Sequence, residues 1–244
     1  MSSGAPDRPA VFVTGAAQGI GLAIAAAFVR AGHPVALADL NPAVRAEAER
    51  LGARGWIVDV REEASLAAAF DAAAEAFGGI GVMVNSAART AAGPLWDVPA
   101  AEWDSVMAVN LRGTFFGCRV AGRHMRGRGW GRIVTMGSYA GRHPSPASGI
   151  HYGASKAGVE YLTKAFAAEL APHGVTVNGV AASLIAGPAL AAAPPEQVEA
   201  VLRTVPLGRP GTVEEVAAAV RFLASDAAGY ITGTMIEITG GRGL

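Results

Sequence analysis

Cysteine is nearly missing from this chain. Cys118 is the only one among 244 residues, so no intramolecular disulfide can form, and a small buried hydrophobe is its expected role. Histidines number five, and no Cys/His cluster has the spacing of zinc ligands, so no metal is expected. Charge is scarce and balanced: lysine plus arginine and aspartate plus glutamate number 20 each, and charged residues make up 16% of the chain against about 25% in typical proteins. A formal net charge of zero removes the electrostatic footprint of a nucleic-acid partner or an anionic membrane. Although 51% of residues are hydrophobic, no uninterrupted apolar run reaches the roughly 18 residues of a membrane span. The opening MSSGAPDRP lacks the apolar core of a signal peptide, so the cytoplasm is the expected location, and residues 1–9 read as a flexible tail.

What is present is alternation. Apolar strand candidates lie near 10–14, 34–39, 55–59, 80–85, 131–136, 174–180 and 234–238, with helical runs between them and no long linker or internal repeat. Fully apolar strands alternating with helices predict an α/β fold, a doubly wound, Rossmann-like parallel sheet of about seven strands with helices on both faces. A chain of 244 residues fills one such domain, here 10–244. The stretch from Leu184 to Pro206, rich in alanine and carrying Pro188, Pro194 and Pro195, interrupts the alternation and reads as a substrate lid near 184–206.

Three local patterns carry chemistry. In AVFVTGAAQGIGLAIAAAF a short strand runs into Gly15, Gly19 and Gly21 and then into an alanine-rich helix. Glycines at such a turn let the backbone approach a pyrophosphate at the helix N-terminus, or they only permit tight packing of helix on strand. The next strand, PVALADL, ends in Asp39. A carboxylate there accepts hydrogen bonds from ribose hydroxyls and repels a 2′-phosphate, which favours NAD over NADP; the alternative is a cap for the helix after Asn41-Pro42. Nothing basic stands at Ala16, Ala17 or Gln18 to receive such a phosphate. In HYGASKAGVEYL, Tyr152 and Lys156 lie one helical turn apart on one face, where the ammonium is expected to lower the phenol pKa and make a proton exchanger. Ser138 closes GRIVTMGS upstream. Asn110, on a mostly apolar face of the helical run AEWDSVMAVNLRGTFFGC, needs a hydrogen-bond partner, either a water or the protein core.

With TGAAQGIG, ADL, Asp59-Val60, VNSAA, VNLRGTFF, the serine of GRIVTMGS, YGASK and ITGTMIEITGG in place, the chain resembles the short-chain dehydrogenase/reductase superfamily from about Ala10 to Gly241. The resemblance implies Ser138 polarising the substrate oxygen, Tyr152 as general acid/base, Lys156 tuning it and binding the nicotinamide ribose, and Asn110 anchoring a water. It implies a cofactor cradle of Gly15, Gln18, Gly19, Ile20 and Gly21, with Asp39 and Leu40 at the ribose, Asp59 and Val60 at the adenine, Asn85 beneath the ribose, and Ala87 and Ile185 along the rest.

Three departures stand out. Ala88 replaces an expected glycine, Ala182-Ser183 replaces Pro-Gly, and Gly187 replaces a threonine that clamps the cofactor, so weaker cofactor binding is expected. The serine-to-tyrosine gap is one residue longer than the commonest family spacing, and Tyr139, Arg142 and His143 in it are candidates for touching substrate beside Ser138 and Tyr152. The expected activity is hydride transfer between NAD(H) and a small secondary alcohol or ketone. The alternatives are a 3-oxoacyl-thioester reductase and, from another class, a non-catalytic NAD-binding sensor or scaffold. Low charge and a wide apolar helix at 152–170 predict a homotetramer.

Overall fold

The computed structural model describes residues 8–90, 92–144 and 148–244. In chain order it has β1 (Val11–Thr14), α1 (Gly19–Arg30), β2 (Val35–Asp39), α2 (Val44–Leu51), β3 (Arg54–Ile57), α3 (Glu63–Phe77), β4 (Val82–Asn85), α4 (Ala100–Met107), α5 (Gly113–Arg126), β5 (Gly131–Ser138), α6 (Ile150–Leu170), β6 (Val175–Ala182), α7 (Pro188–Ala191), α8 (Pro195–Leu202), α9 (Val213–Leu223) and β7 (Met235–Ile238). The strands form one sheet in the order β3-β2-β1-β4-β5-β6-β7, every pair parallel. The expected doubly wound fold is therefore what forms.

Alternation along the strands builds two cores. Val11 and Val13 face one side with Ile24 and Phe28 of α1 and Val216 and Val220 of α9. Phe12 faces the other with Leu66 and Phe70 of α3, Cys118 and Met125 of α5 and Leu170 of α6. Both faces are covered, which is why the central strands read as continuous apolar runs. The edge strand β3 is the exception, with Arg54 and Ile57 exposed. Of the predicted tail, residues 1–7 lie outside the described residues. Pro9 is not part of a loose tail: it is buried, and its carbonyl lies 2.9 Å from His33 Nδ1.

The chain order reverses between β1 and β4, which opens a crevice at the carboxyl ends of the strands. The helical run predicted over Ala101–Cys118 is broken there. A π-helical turn at Ala108–Arg112, with the Gly113 amide donating to the Ala108 carbonyl, separates α4 from α5.

Candidate active site

The crevice is a cavity of about 580 Å³ that runs from the β1–α1 turn to α6. Its first wall is glycine by steric necessity. Gly15 has φ +66°, and a Cβ on it would sit 2.6 Å from Ala87 Cα; a Cβ on Gly21 would fall on the Gly15 carbonyl oxygen. Gly19 also has positive φ, but the place of its missing Cβ is open. The packing explanation therefore accounts for Gly15 and Gly21, while Gly19 leaves bare backbone facing the cavity. Helix α1 starts there with no side-chain cap and no acidic residue in its first turn. Its leading amides and positive dipole end are left for an anion, and Gln18, Ile20 and Ala87 line the same wall.

Asp39 borders the cavity and does not cap α2, whose N-cap Ala43 has no side-chain cap hydrogen bond. Oδ2 accepts from Ala17 N at 3.0 Å, tying β2 to the glycine turn, and Oδ1 accepts from Asn41 N at 2.9 Å. A carboxylate offers about four lone-pair sites, so acceptor capacity remains. Leu40 beside it is 56% exposed and also lines the cavity. Asp59 and Val60 lie farther along, where Arg61, a residue the sequence reading passed over, grips the Asp59 carboxylate with Nε at 2.9 Å and Nη2 at 2.6 Å. That bond holds the Asp59 carboxyl below its ordinary pKa. The signal was a cation two residues after the acid.

Asn85 and Asn110 are not on the cavity wall. Asn85, expected beneath the ribose, is buried with Nδ2 donating to Cys118 Sγ at 3.5 Å in the core behind β4. Its neighbours take the wall position: Ser86 N and Ala87 N donate to Thr14 Oγ1 at 3.1 and 3.2 Å, and exposed Ala88 follows. No non-glycine residue among those described has positive φ, so Ala88 costs no backbone strain where a glycine was expected. Asn110 in the π turn is fully buried; Oδ1 accepts from Arg89 N at 2.8 Å, and Nδ2 donates to Arg89 O at 3.1 Å and Ser155 Oγ at 3.0 Å. Its side chain is the satisfied core amide. It fastens the loop after β4 to α6.

Ser138, Tyr152 and Lys156 converge on the far end of the cavity. Ser138 terminates β5 and its Oγ accepts from Ala140 N at 3.2 Å. Lys156 is buried and donates to Met136 O at 2.7 Å, with Nζ 5.6 Å from the Tyr152 ring centroid. Burial raises the Tyr152 phenol above its ordinary value, and the hydrogen bond with Ser138 pulls the other way. Burial lowers Lys156 to about 8. The expected lowering of the phenol by the ammonium is not seen: desolvation sets the direction and the Ser138 hydrogen bond alone opposes it.

A second cavity of about 380 Å³ adjoins the first, sharing Ser138, Tyr152, Ser183 and Ile185 with it. Tyr139 lines it, but Arg142 and His143, also expected at the substrate, do not. Arg142 is bound to Glu160 and Glu237, with Nε 2.7 Å from Glu160 Oε2. His143 stacks on Tyr139 with ring centroids 4.5 Å apart. Arg242 was missed by the sequence reading; it reaches this cavity from the carboxyl-terminal turn. The 184–206 segment supplies the apolar wall through Leu184, Leu190, Val198 and Val201. Its base is pinned by Ala186 N donating to Gly211 O at 2.8 Å and Gly211 N to Leu184 O at 2.9 Å. Gly187 is extended (φ 162°), so glycine is not required there.

Among the described residues, no helix is long and apolar enough to cross a membrane and no group of three His, Cys, Asp or Glu is placed to hold a metal ion. A family model described as enoyl-(acyl carrier protein) reductase matches residues 15–242. The chain is 40% identical to galactitol 2-dehydrogenase (L-tagatose-forming) of Cereibacter sphaeroides, over 96% of this chain and 95% of that one. It is 39% identical to D-threitol dehydrogenase of Mycolicibacterium smegmatis, over 96% and 93%. A 3-oxoacyl-[acyl-carrier protein] reductase with bound NAD from Brucella melitensis superposes with a TM-score of 0.89 at 33% identity, over 99% of this chain and 93% of that one.

Proposed function

Because the chain belongs to the short-chain dehydrogenase/reductase superfamily, we propose that it interconverts a small secondary alcohol and its ketone with NAD(H), the proton passing through Tyr152. The observation that carries this reading is the shared cavity, which has a Cβ-free, uncapped helix N-terminus and Asp39 at one end and Ser138, Tyr152 and Lys156 at the other. The residues fit a dinucleotide. Open backbone at Gly19 and the free amides of α1 suit its pyrophosphate, and Asp39 suits unphosphorylated ribose hydroxyls. Of the two guanidinium groups bordering this cavity, Arg61 is spent on Asp59 and Arg89 donates to Ser105 Oγ at 3.1 Å, which supports NAD over NADP. A bound nicotinamide dinucleotide supplies the hydride acceptor or donor.

The protein's part is proton transfer and placement. Ser138 and Tyr152 face one spot from the end of β5 and the first turn of α6, where they hold the oxygen that becomes hydroxyl or carbonyl. A phenol raised by burial keeps its proton at neutral pH, so the resting site is a general acid, the form ketone reduction needs; alcohol oxidation needs the deprotonated form and speeds up as pH rises. Asn110 acts by holding the backbone of Arg89 against α6. We place the protein in the cytoplasm and assemble it as a homotetramer through the outer face of α6, where Tyr161, Ala165 and Ala168 are exposed.

The test is a panel of secondary alcohols and ketones with NAD and NADP forms, followed by cofactor absorbance, on wild type and Tyr152→Phe. Wild-type turnover with a fall of at least about a hundredfold in the variant, at nearly unchanged cofactor affinity, is expected. Near-native turnover by folded Tyr152→Phe overturns the mechanism. A carrier-bound 3-oxoacyl thioester that outcompetes its free analogue moves the assignment to acyl reduction, and cofactor binding without any turnover moves it to a sensor.

A further inference from the structure

Among the described residues that line the second cavity, Arg242 is the one charged side chain, and the chemistry above leaves it unused. It lies in the turn after β7, and its guanidinium carbon is 4.2 Å from the centroid of the Tyr139 ring. Nη1 donates to Ser183 Oγ at 3.1 Å, and Nε is buried without a hydrogen-bond partner. Arg142, Arg119 and Arg209 each have a carboxylate partner; Arg242 has none among the described residues. A guanidinium has five donors in a planar fork that matches a carboxylate, and one held partly desolvated gains from an anion more than a hydrated surface arginine does. Two of the residues that hold it are adjacent to the reacting centre. Tyr139 follows Ser138 directly, and Ser183 follows Ala182, the residue paired with Ser138 between β5 and β6. Neighbouring strands lie about 4.8 Å apart, so Tyr139 and Ser183 hold the cation at the same end of the sheet as Ser138, in the cavity that Ser138 and Tyr152 also line. Ser183 contributes the hydroxyl that orients the fork.

We infer that the substrate is a short hydroxy acid, or the corresponding oxo acid, whose carboxylate binds Arg242 while its secondary alcohol or ketone carbon meets Tyr152. The inference rests on the dehydrogenase reading and adds the substrate's charge. The apolar wall of Leu184, Leu190, Val198 and Val201 accepts the hydrocarbon chain of such an acid. Arg242 is a specificity residue here, and the proton path stays with Tyr152.

The experiment compares 2- and 3-hydroxy acids of four to six carbons and 4-hydroxy acids of five or six carbons, all secondary alcohols, with their methyl esters, in wild type, Arg242→Met, Arg242→Lys and Ser183→Gly. For at least one acid, wild-type kcat/KM exceeds that of its ester by roughly ten- to a hundredfold, the range expected of a charged hydrogen bond. The acid-to-ester ratio falls towards one in Arg242→Met and recovers in part in Arg242→Lys; Ser183→Gly lowers it less. A merely structural arginine would lower acid and ester turnover together and leave the ratio unmoved. The wild-type comparison does not depend on any variant folding. Calorimetric titration of wild type with the same acids and esters gives a readout without turnover. Esters or neutral alcohols that bind and react as well as the acids overturn this inference and leave the dehydrogenase reading standing. Absence of turnover for every alcohol and ketone removes that reading instead, and the carboxylate site is then judged by the titration, where equal affinity for acid and ester refutes it.

Discussion

Replacing Asp39 by asparagine should erase most of the preference for NAD, and adding Leu40→Arg should reverse it. The Asp39 carboxylate is held at the tip of β2 by Ala17 N at 3.0 Å and Asn41 N at 2.9 Å, so its charge is fixed beside the glycine turn. A ribose 2′-phosphate there would place two like charges about 4 Å apart, which costs about 4 kcal/mol at an effective dielectric near 20. Solvent and salt at a half-buried site reduce this; half of it still gives about thirtyfold discrimination, each 1.4 kcal/mol being tenfold. Asparagine is the informative substitution, since its carbonyl still accepts from buried Ala17 N. Alanine would leave that amide unsatisfied at a cost of about 1–3 kcal/mol and confuse loop damage with charge. Leu40 is 56% exposed on the same wall, so an arginine there has room to reach the phosphate. Initial rates with NAD and NADP should show at least about tenfold higher kcat/KM for NAD in wild type, near parity in Asp39→Asn, and NADP ahead in the double variant. Equal efficiency in wild type, or a ratio unmoved by Asp39→Asn, would refute the electrostatic argument and leave Asp39 as a brace between β2 and the glycine turn.

Lys156 links stability to pH. Its folded value near 8 lies below its ordinary 10.5, so between these values the unfolded chain holds a proton that the folded chain lacks, and wild-type stability gains with pH from this group. In denaturant titrations at pH 8 and 10, Lys156→Met should lack that gain; an identical pH slope in both proteins would contradict the buried ammonium. Gly187→Thr should fit, because its backbone is extended and the nearest atom to a new Cβ is Val213 Cγ1 at 3.9 Å. One added hydrogen bond of about 0.5–1.5 kcal/mol predicts roughly two- to tenfold tighter NAD binding by calorimetry, and unchanged affinity would mean that the clamp is not available here. Light scattering at micromolar concentration should give a tetramer, and a monomer alone would reject assembly through α6.

The glycine turn, Asp39 and the Tyr152–Lys156 pair were legible in the residues because each is set by local geometry: a strand-to-helix turn that must lack Cβ atoms, a strand end, and one turn of helix. The strands were legible for the same reason, since burial on both faces leaves an unbroken apolar run. Sequence proximity misled where partners are distant. Arg142 lies near Tyr152 in the chain, yet Glu160 on α6 and Glu237 on β7 draw it away. Asn85 turns into the core at Cys118 and Asn110 spends its amide on Arg89 and Ser155, choices made by the packing of β4, α5 and α6. The phenol pKa likewise depends on desolvation, which no i, i+4 spacing reports. Arg242 shows the limit most directly. The residues alone mark it as a charge between glycines near the end of the chain, and only the closing turn after β7 lays it over Tyr139 and against Ser183, because the sheet brings the ends of β5, β6 and β7 together.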